Sequence, residues 1–327
     1  MTALVTGAAG FVGSAVVRHL LDQGESVRAF VRPTSDLRNL DALNIEIFRG
    51  DLTDRRSIDQ AISGCDSLFH VAADYRLWVP NPAAMFAANV EGTRHMMLAA
   101  GEAGVKRIVY TSSVATLGLL PGGAADEETR ATPADMIGPY KQSKFAAEAV
   151  VKELIAQAGL PAVIVHPSTP IGPRDLKPTP TGKLVVDAAR GRMPGFVDTG
   201  LNVVHVDDVA HGHLLAYERG EIGERFILGS ENLTLAEILT TVAHLSNRRP
   251  PRLRIPHGVV MPIAGLAESW ARVTGKEPFA TLDGVRLARK KMFFSSDRAI
   301  RRLGYQPRPA EAAIADAVRW FAANGYL

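Results

Sequence analysis

The chain has 327 residues with 37 Lys and Arg against 34 Asp and Glu, a formal charge of +3, and is 46% hydrophobic and 22% charged. This is a globular composition, long enough for about two domains of 100–200 residues, and the charge is too small to call for nucleic acid. The single cysteine, Cys65, excludes an internal disulfide and an all-cysteine metal cluster, and no apolar run reaches the ~18 residues of a bilayer span. No metal site is expected. Without a basic flank leading into an apolar leader, the chain is expected to be cytoplasmic.

The first half alternates β-rich runs with longer helical patterns, the βαβ rhythm of a parallel sheet covered on both faces. Strands are predicted at Thr2–Thr6, Ser26–Val31, Ile45–Arg49, Ser67–Val71, Arg107–Ser112 and Ala162–His166, with helices over 11–23, 55–62, 83–102 and 138–158. The strands are continuous apolar runs, as expected when both faces are buried. After His166, Pro167, Pro170, Pro173, Pro178 and Pro180 predict a long loop leaving the core. Strands are then expected at 203–206 and 225–228, and helices over 207–219, 234–246, 257–273 and 310–323. The fold class is α/β: a Rossmann-type doubly wound parallel sheet (1–166, with a return near 203–222) carrying a smaller C-terminal α+β substrate domain (167–327).

The strongest local signal is Gly7-Ala8-Ala9-Gly10-Phe11-Val12-Gly13, between the first strand and the first helix. Gly7 permits the tight turn, Gly10 lets a pyrophosphate approach the backbone, and Gly13 lets the helix pack on the strand. The helix N-terminus offers free N–H groups to phosphate. About twenty residues on, where an acid would bond the ribose of NAD, the second strand ends in Val31-Arg32. A guanidinium there can fork onto a 2′-phosphate, so NADP(H) is favoured over NAD(H). Asp51, ending the third strand, is a candidate for the adenine amino group or, equally, a plain cap of helix 55–62. His70 reads as a satisfied core histidine, and Val71-Ala72-Ala73 as a small-residue passage beside the cofactor.

Tyr140 and Lys144 stand at i and i+4 on one helix face, and Thr111-Ser112-Ser113 ends the fifth strand beside the cofactor crevice. A phenol of pKa near 10 is a poor base unless an ammonium lowers it, by roughly 1–3 units at close range. Ser113 can hold a substrate oxygen while Tyr140 moves its proton and a nicotinamide carries hydride.

These pieces resemble the extended short-chain dehydrogenase/reductases of the NAD-dependent epimerase/dehydratase superfamily. The likeness extends through Gly50-Asp51-Leu52, Asn89 to Thr93, His166-Pro167, Val206 to Ala210 and Leu303 to Pro307, essentially the whole chain. It implies a catalytic triad of Ser113, Tyr140 and Lys144, with Lys144 also on the nicotinamide ribose. It further implies Phe11 and Val12 at the pyrophosphate, Asp51 and Leu52 near the adenine, and Pro167, Ser168 and Thr169 near the nicotinamide. A narrower likeness, in His70 to Trp78 and Ser112 to Gly118, is to the hopanoid-associated sugar epimerases, relatives of dihydroflavonol-4-reductase.

Departures sort the reactions. The segment Ser113-Val114-Ala115-Thr116 lacks the Asp-Glu pair of sugar dehydratases, and Gly200 to His205 lacks the arginine with which nucleotide-sugar enzymes grip a diphosphate. These absences and Arg32 favour an oxidoreductase acting on a carbonyl or secondary alcohol of a sugar-like or hopanoid side-chain substrate, small or lipid-linked. The alternatives are an epimerase retaining NAD and a non-catalytic nucleotide sensor. Asp74, Tyr75, Arg76 and Trp78 are candidates for a substrate wall. The apolar run Val259–Leu266 with Trp270 is expected in the second domain's core. The cations from Arg286 to Arg302 are expected to form a solvated face, with weak peripheral contact to anionic lipid as the alternative. A homodimer is common among proteins resembling this one.

Overall fold

The computed structural model describes all residues except Pro80, Lys276, Glu277 and Phe279, and the side chain of Arg272. The first part runs β1 (Thr2–Thr6), α1 (Phe11–Asp22), β2 (Ser26–Val31), β3 (Glu46–Arg49), α2 (Arg55–Ile62), β4 (Ser67–His70), α3 (Pro82–Phe86), α4 (Gly92–Glu102), β5 (Arg107–Thr111), α5 (Gly138–Ala158) and β6 (Ala162–Pro167). There follow β7 (Thr169–Ile171), α6 (Pro180–Ala189), β8 (Gly195–Phe196), β9 (Gly200–His205), α7 (Val206–Arg219), β10 (Arg225–Leu228), β11 (Glu231–Thr234) and α8 (Leu235–Leu245). The chain ends with β12 (Leu253–Arg254), α9 (His257–Thr274), α10 (Leu282–Ala288), β13 (Lys291–Met292), α11 (Asp297–Leu303) and α12 (Ala310–Ala323).

Seven strands form one sheet in the order β10-β6-β5-β4-β1-β2-β3, every pair parallel. The order reverses direction between β1 and β4, which opens a crevice at their C-terminal ends. Apolar strand residues feed both faces. Val5, Val31 and Phe69 pack with α1 and α7 on one side, and Leu4, Leu68 and Ile108 with α2, α4 and α5 on the other. The chain returns to this sheet from Val206 to Leu228, where α7 packs along α1 and β10 adds the last strand. A separate core joins β9 to α6, α8 and α12 through Val203, Ile238, Val242, Ile314 and Phe321.

Three expectations change. The Pro-rich stretch after His166 is not all loop, because Thr169–Ile171 pairs with β9, and Pro180 opens α6. Proline is tolerated at both places: β7 is bonded along one edge only, and the first helical turn needs no N–H from it. The helix expected over 83–102 is interrupted by a π-helical turn at Ala87–Glu91. The apolar run of α9 is not core, since Val259, Ile263, Leu266 and Trp270 are all exposed. The basic stretch is mostly exposed, as expected of a solvated face: Arg298 and Arg302 pair with Glu128 and Glu221, and α10, which carries Arg286, packs on α9.

Candidate active site

The glycine turn lies at the mouth of the crevice. Gly7 has φ +67°, and a Cβ there would come within 2.8 Å of the Ala72 backbone, at the end of β4. A Cβ on Gly13 would fall 2.1 Å from the Gly7 carbonyl oxygen, so the helix packs on its own turn only as glycine. The N-terminus of α1 is capped by Gly10 with no side-chain hydrogen bond and no acid in its first turn. Unpaired amides, a positive dipole end and room for a close approach are what a dinucleotide pyrophosphate requires. The residues present fit that group. Phe11 and Val12 form the first turn of this helix.

Around the crevice, Arg32 is exposed just beyond β2, within electrostatic reach of Asp51 and Asp74. Asp51 does not cap α2; that cap is Asp54, which accepts from the Arg56 amide at 3.1 Å. Asp51 instead accepts from the amide and hydroxyl of Thr53 at 2.8 and 2.7 Å, and these bonds hold its carboxyl below the usual range. Leu52 packs against α4, where a Cβ on Gly92 would meet its own Cβ at 2.7 Å. Pro167 ends β6 and Thr169 starts β7, with Ser168 between them bonded through its amide to the Leu228 carbonyl at 3.1 Å.

The catalytic candidates converge from two elements. Ser113 follows β5 and its hydroxyl accepts from the Ala115 amide at 3.1 Å. Tyr140 lies in the first turn of α5, with its phenol near enough to the Ser113 side chain for that hydroxyl to favour the phenolate. One turn on, the Lys144 ammonium donates to the Thr111 carbonyl at 2.8 Å and to the Tyr110 hydroxyl at 3.3 Å, and sits 4.9 Å from the Tyr110 ring centre. The expected lowering of the Tyr140 phenol is not found. Burial pushes it up, and the neighbouring Ser113 hydroxyl only partly opposes that. The ammonium faces Thr111 and Tyr110, and burial brings its own pKa down to about 8.

Beneath these groups runs a chain of hydrogen bonds that no sequence spacing announces. Thr6 Oγ1 accepts from the Ala72 amide at 3.1 Å and meets His70 Nδ1 at 2.9 Å; His70 Nε2 meets Thr93 Oγ1 at 3.0 Å. The Thr93 hydroxyl donates to the Asn89 carbonyl at 2.7 Å, so it accepts from His70, which places the imidazole proton on Nε2. Burial holds the ring neutral, with a pKa down to about 3, and His70 is a satisfied core histidine. Asn89, in the π-turn, then accepts from the Asp74 amide at 2.7 Å and donates to the Asp74 carbonyl and to Ser143 Oγ, each at 2.9 Å. Ser143 donates to the Tyr140 carbonyl at 2.9 Å. The loop after β4 and the helix of Tyr140 are thus tied together. Asn89 and Thr93 stood out in the sequence only as marks of family likeness.

A second buried group braces the strand end. Glu148, one turn beyond Lys144, accepts from Ser112 (2.5 Å), Thr116 (2.7 Å) and His166 Nε2 (2.9 Å), and pairs with Lys152. Burial pushes its carboxyl up, but His166 and Lys152 outweigh this and hold it well below the carboxylate range.

Beside Pro139, the residue before Tyr140, lies a cleft of about 410 Å³ lined by Leu77, Trp78, Val79, Pro82 and Pro139 on one side and Glu268, Ala271, Gly275, Thr281 and Asp283 on the other. Of the four residues expected as a substrate wall, Trp78 lines this cleft. Asp74 and Arg76 pair with each other at 2.5 Å, and Tyr75 is 45% exposed.

A doubly wound sheet with a phosphate-binding turn at its switch point, and a Ser–Tyr contact beside a buried lysine at the next strand ends, defines an oxidoreductase that works with a nicotinamide dinucleotide. Residues 3–229 match the NAD dependent epimerase/dehydratase family, and the chain belongs to it. Over 328 residues it is 43% identical to a Synechocystis protein provisionally named dihydroflavonol 4-reductase, with 99% of this chain and 95% of that one covered. It is 39% identical over 329 residues to sterol demethylase protein B of Methylococcus capsulatus, both chains covered in full. The crystal structure of gox2253 superposes with a TM-score of 0.90 at 52% identity, covering 100% of this chain and 99% of that one.

Proposed function

We propose that the protein is an NADP(H)-dependent oxidoreductase for a carbonyl or secondary alcohol carried on a largely apolar body, such as a hopanoid side chain. The lining of the cleft beside Pro139 carries this reading. Its walls are mainly apolar, and its charged lining residues, Glu268 and Asp283, are both acids. Among its described lining residues the cleft offers no cation to the diphosphate of a nucleotide sugar. The relative named for a sterol demethylase is consistent with such a substrate.

In this reading the bound nicotinamide supplies or accepts hydride. Ser113 donates to the substrate oxygen and Tyr140 delivers or removes its proton. Lys144, charged below a pKa of about 8, holds the ribose. Gly7, Gly10, Phe11, Val12 and Gly13 hold the pyrophosphate. Asp51 and Leu52 flank the adenine, and Val71 to Ala73 with Pro167 to Thr169 flank the rest of the cofactor. Arg32 takes the 2′-phosphate. Residues 1–166 act as the nucleotide domain and 167–327 mainly as its substrate cover.

The test is the identity and retention of the nucleotide. Weak, exchangeable binding that prefers NADPH is expected. Arg32→Asp should cost about 10–100-fold in NADPH affinity, as for losing a hydrogen bond to a charged group, and little for NADH. Stoichiometric NAD released only on denaturation would overturn the reductase reading in favour of epimerisation.

A further inference from the structure

Helix α9 is inside out. Ala264 and Ala271 face inward at 0% and 2% exposure, while Val259, Ile263, Leu266, Trp270 and Val273 are 44% to 82% exposed. These five residues recur at intervals of four, three, four and three, which draws one apolar stripe about 21 Å long down the outer face. Exposed apolar side chains scattered singly are ordinary, but a continuous stripe marks an interaction surface.

Charge points to what covers it. From Arg248 to Lys291 the sequence holds ten Lys and Arg against three Asp and Glu, while the whole chain is only +3. The excess positive charge is therefore concentrated around this helix, and the rest of the molecule is net negative. Arg252, Arg254, Arg286, Arg289, Lys290 and Lys291 are all exposed, although Arg254 and Arg286 also pair with Asp198 and Asp283. A second copy of this face would bring like charges together, whereas an anionic lipid surface complements both the stripe and the cations. The inner face of the same helix supplies Glu268 and Ala271 to the cleft beside Pro139. One helix thus separates the exposed stripe from the site. Among the described residues, no helix is long and apolar enough to cross a membrane, so the contact is peripheral.

We propose that α9 docks the protein on anionic phospholipid bilayers. The stripe enters the interfacial region, the surrounding arginines and lysines meet phosphate headgroups, and the mouth of the cleft comes to rest at the lipid surface. The test needs no substrate, so its failure is distinct from failure of the reductase reading.

The full chain is floated with vesicles of phosphatidylcholine alone or mixed with phosphatidylglycerol. Binding to the mixed vesicles, weakened by salt, is expected, with a blue shift of tryptophan emission that Trp270→Phe largely abolishes. Leu266→Glu with Trp270→Glu should lower binding at least ~10-fold, as for placing charge on the inserted face, with unchanged thermal unfolding and NADPH binding. Lys290→Glu with Lys291→Glu, which leaves the stripe intact, should reduce the preference for anionic lipid. Failure of the native chain to float at low salt would overturn the proposal. So would equal flotation of the Leu266/Trp270 variant, or a dimer in sedimentation that this variant dissociates.

Discussion

Tyr140 and Asp175 show how burial alone sets the behaviour of a titrating group. Tyr140 carries a phenol raised by burial, which the neighbouring Ser113 only partly opposes. Tyr140→Phe is expected to lower turnover of whichever ketone the native enzyme reduces by ~10²–10⁴-fold, the usual worth of a positioned acid–base group. NADPH binding should persist, as measured by nucleotide fluorescence. Asp175 is 3% exposed, accepts from the amide and hydroxyl of Thr179 at 2.8 Å each, and burial raises its pKa from 3.8 to about 6. The folded state therefore holds this proton more tightly than the unfolded chain. The resulting stability is full below pH 3.8 and is lost as pH rises through about 6. The loss is on the order of 3 kcal/mol. Asp175→Asn keeps an acceptor for Thr179 and should remove this dependence. Urea unfolding should show the variant gaining on the native protein between about pH 4 and pH 7, in line with the same linkage.

At the scale of elements, α5 is the one whose bounds and face follow most directly from sequence, because a tyrosine and a lysine four residues apart share a helix face wherever the helix lies. Its partner across the site is less legible. Glu148 reads locally as another solvent-facing helix charge, yet it is buried against β5, β6 and the Thr116 turn. Glu148→Ala should destabilise the protein by about 3–5 kcal/mol, the cost of leaving a buried partner unpaired, seen as a lower urea midpoint. Glu148→Gln, which keeps an acceptor, should lose less. The π-turn at Ala87–Glu91 was equally hidden: its residues fit a continuous helix, and only the reach of Asn89 to Asp74 and Ser143 gives the turn a purpose. For α9 the periodicity was plain but its direction was not. An apolar stripe at helical spacing is the same pattern whether it faces a core or a lipid surface.

For the molecule as a whole, contacts local in the chain were legible in the sequence. Continuous apolar runs between helical patterns specified a parallel sheet, and strand, glycine turn and helix in succession specified the phosphate site, since each depends on residues within one or two turns of one another. Tertiary structure alone decided the rest. The approach of Ser113 to Tyr140, the relay from Ala72 through His70 to Asn89, the acids lining the cleft and the outward face of α9 all depend on residues far apart in the chain. The strength of such contacts depends on burial and on which faces meet. Neither is encoded at any one position, because each is a property of how whole elements pack.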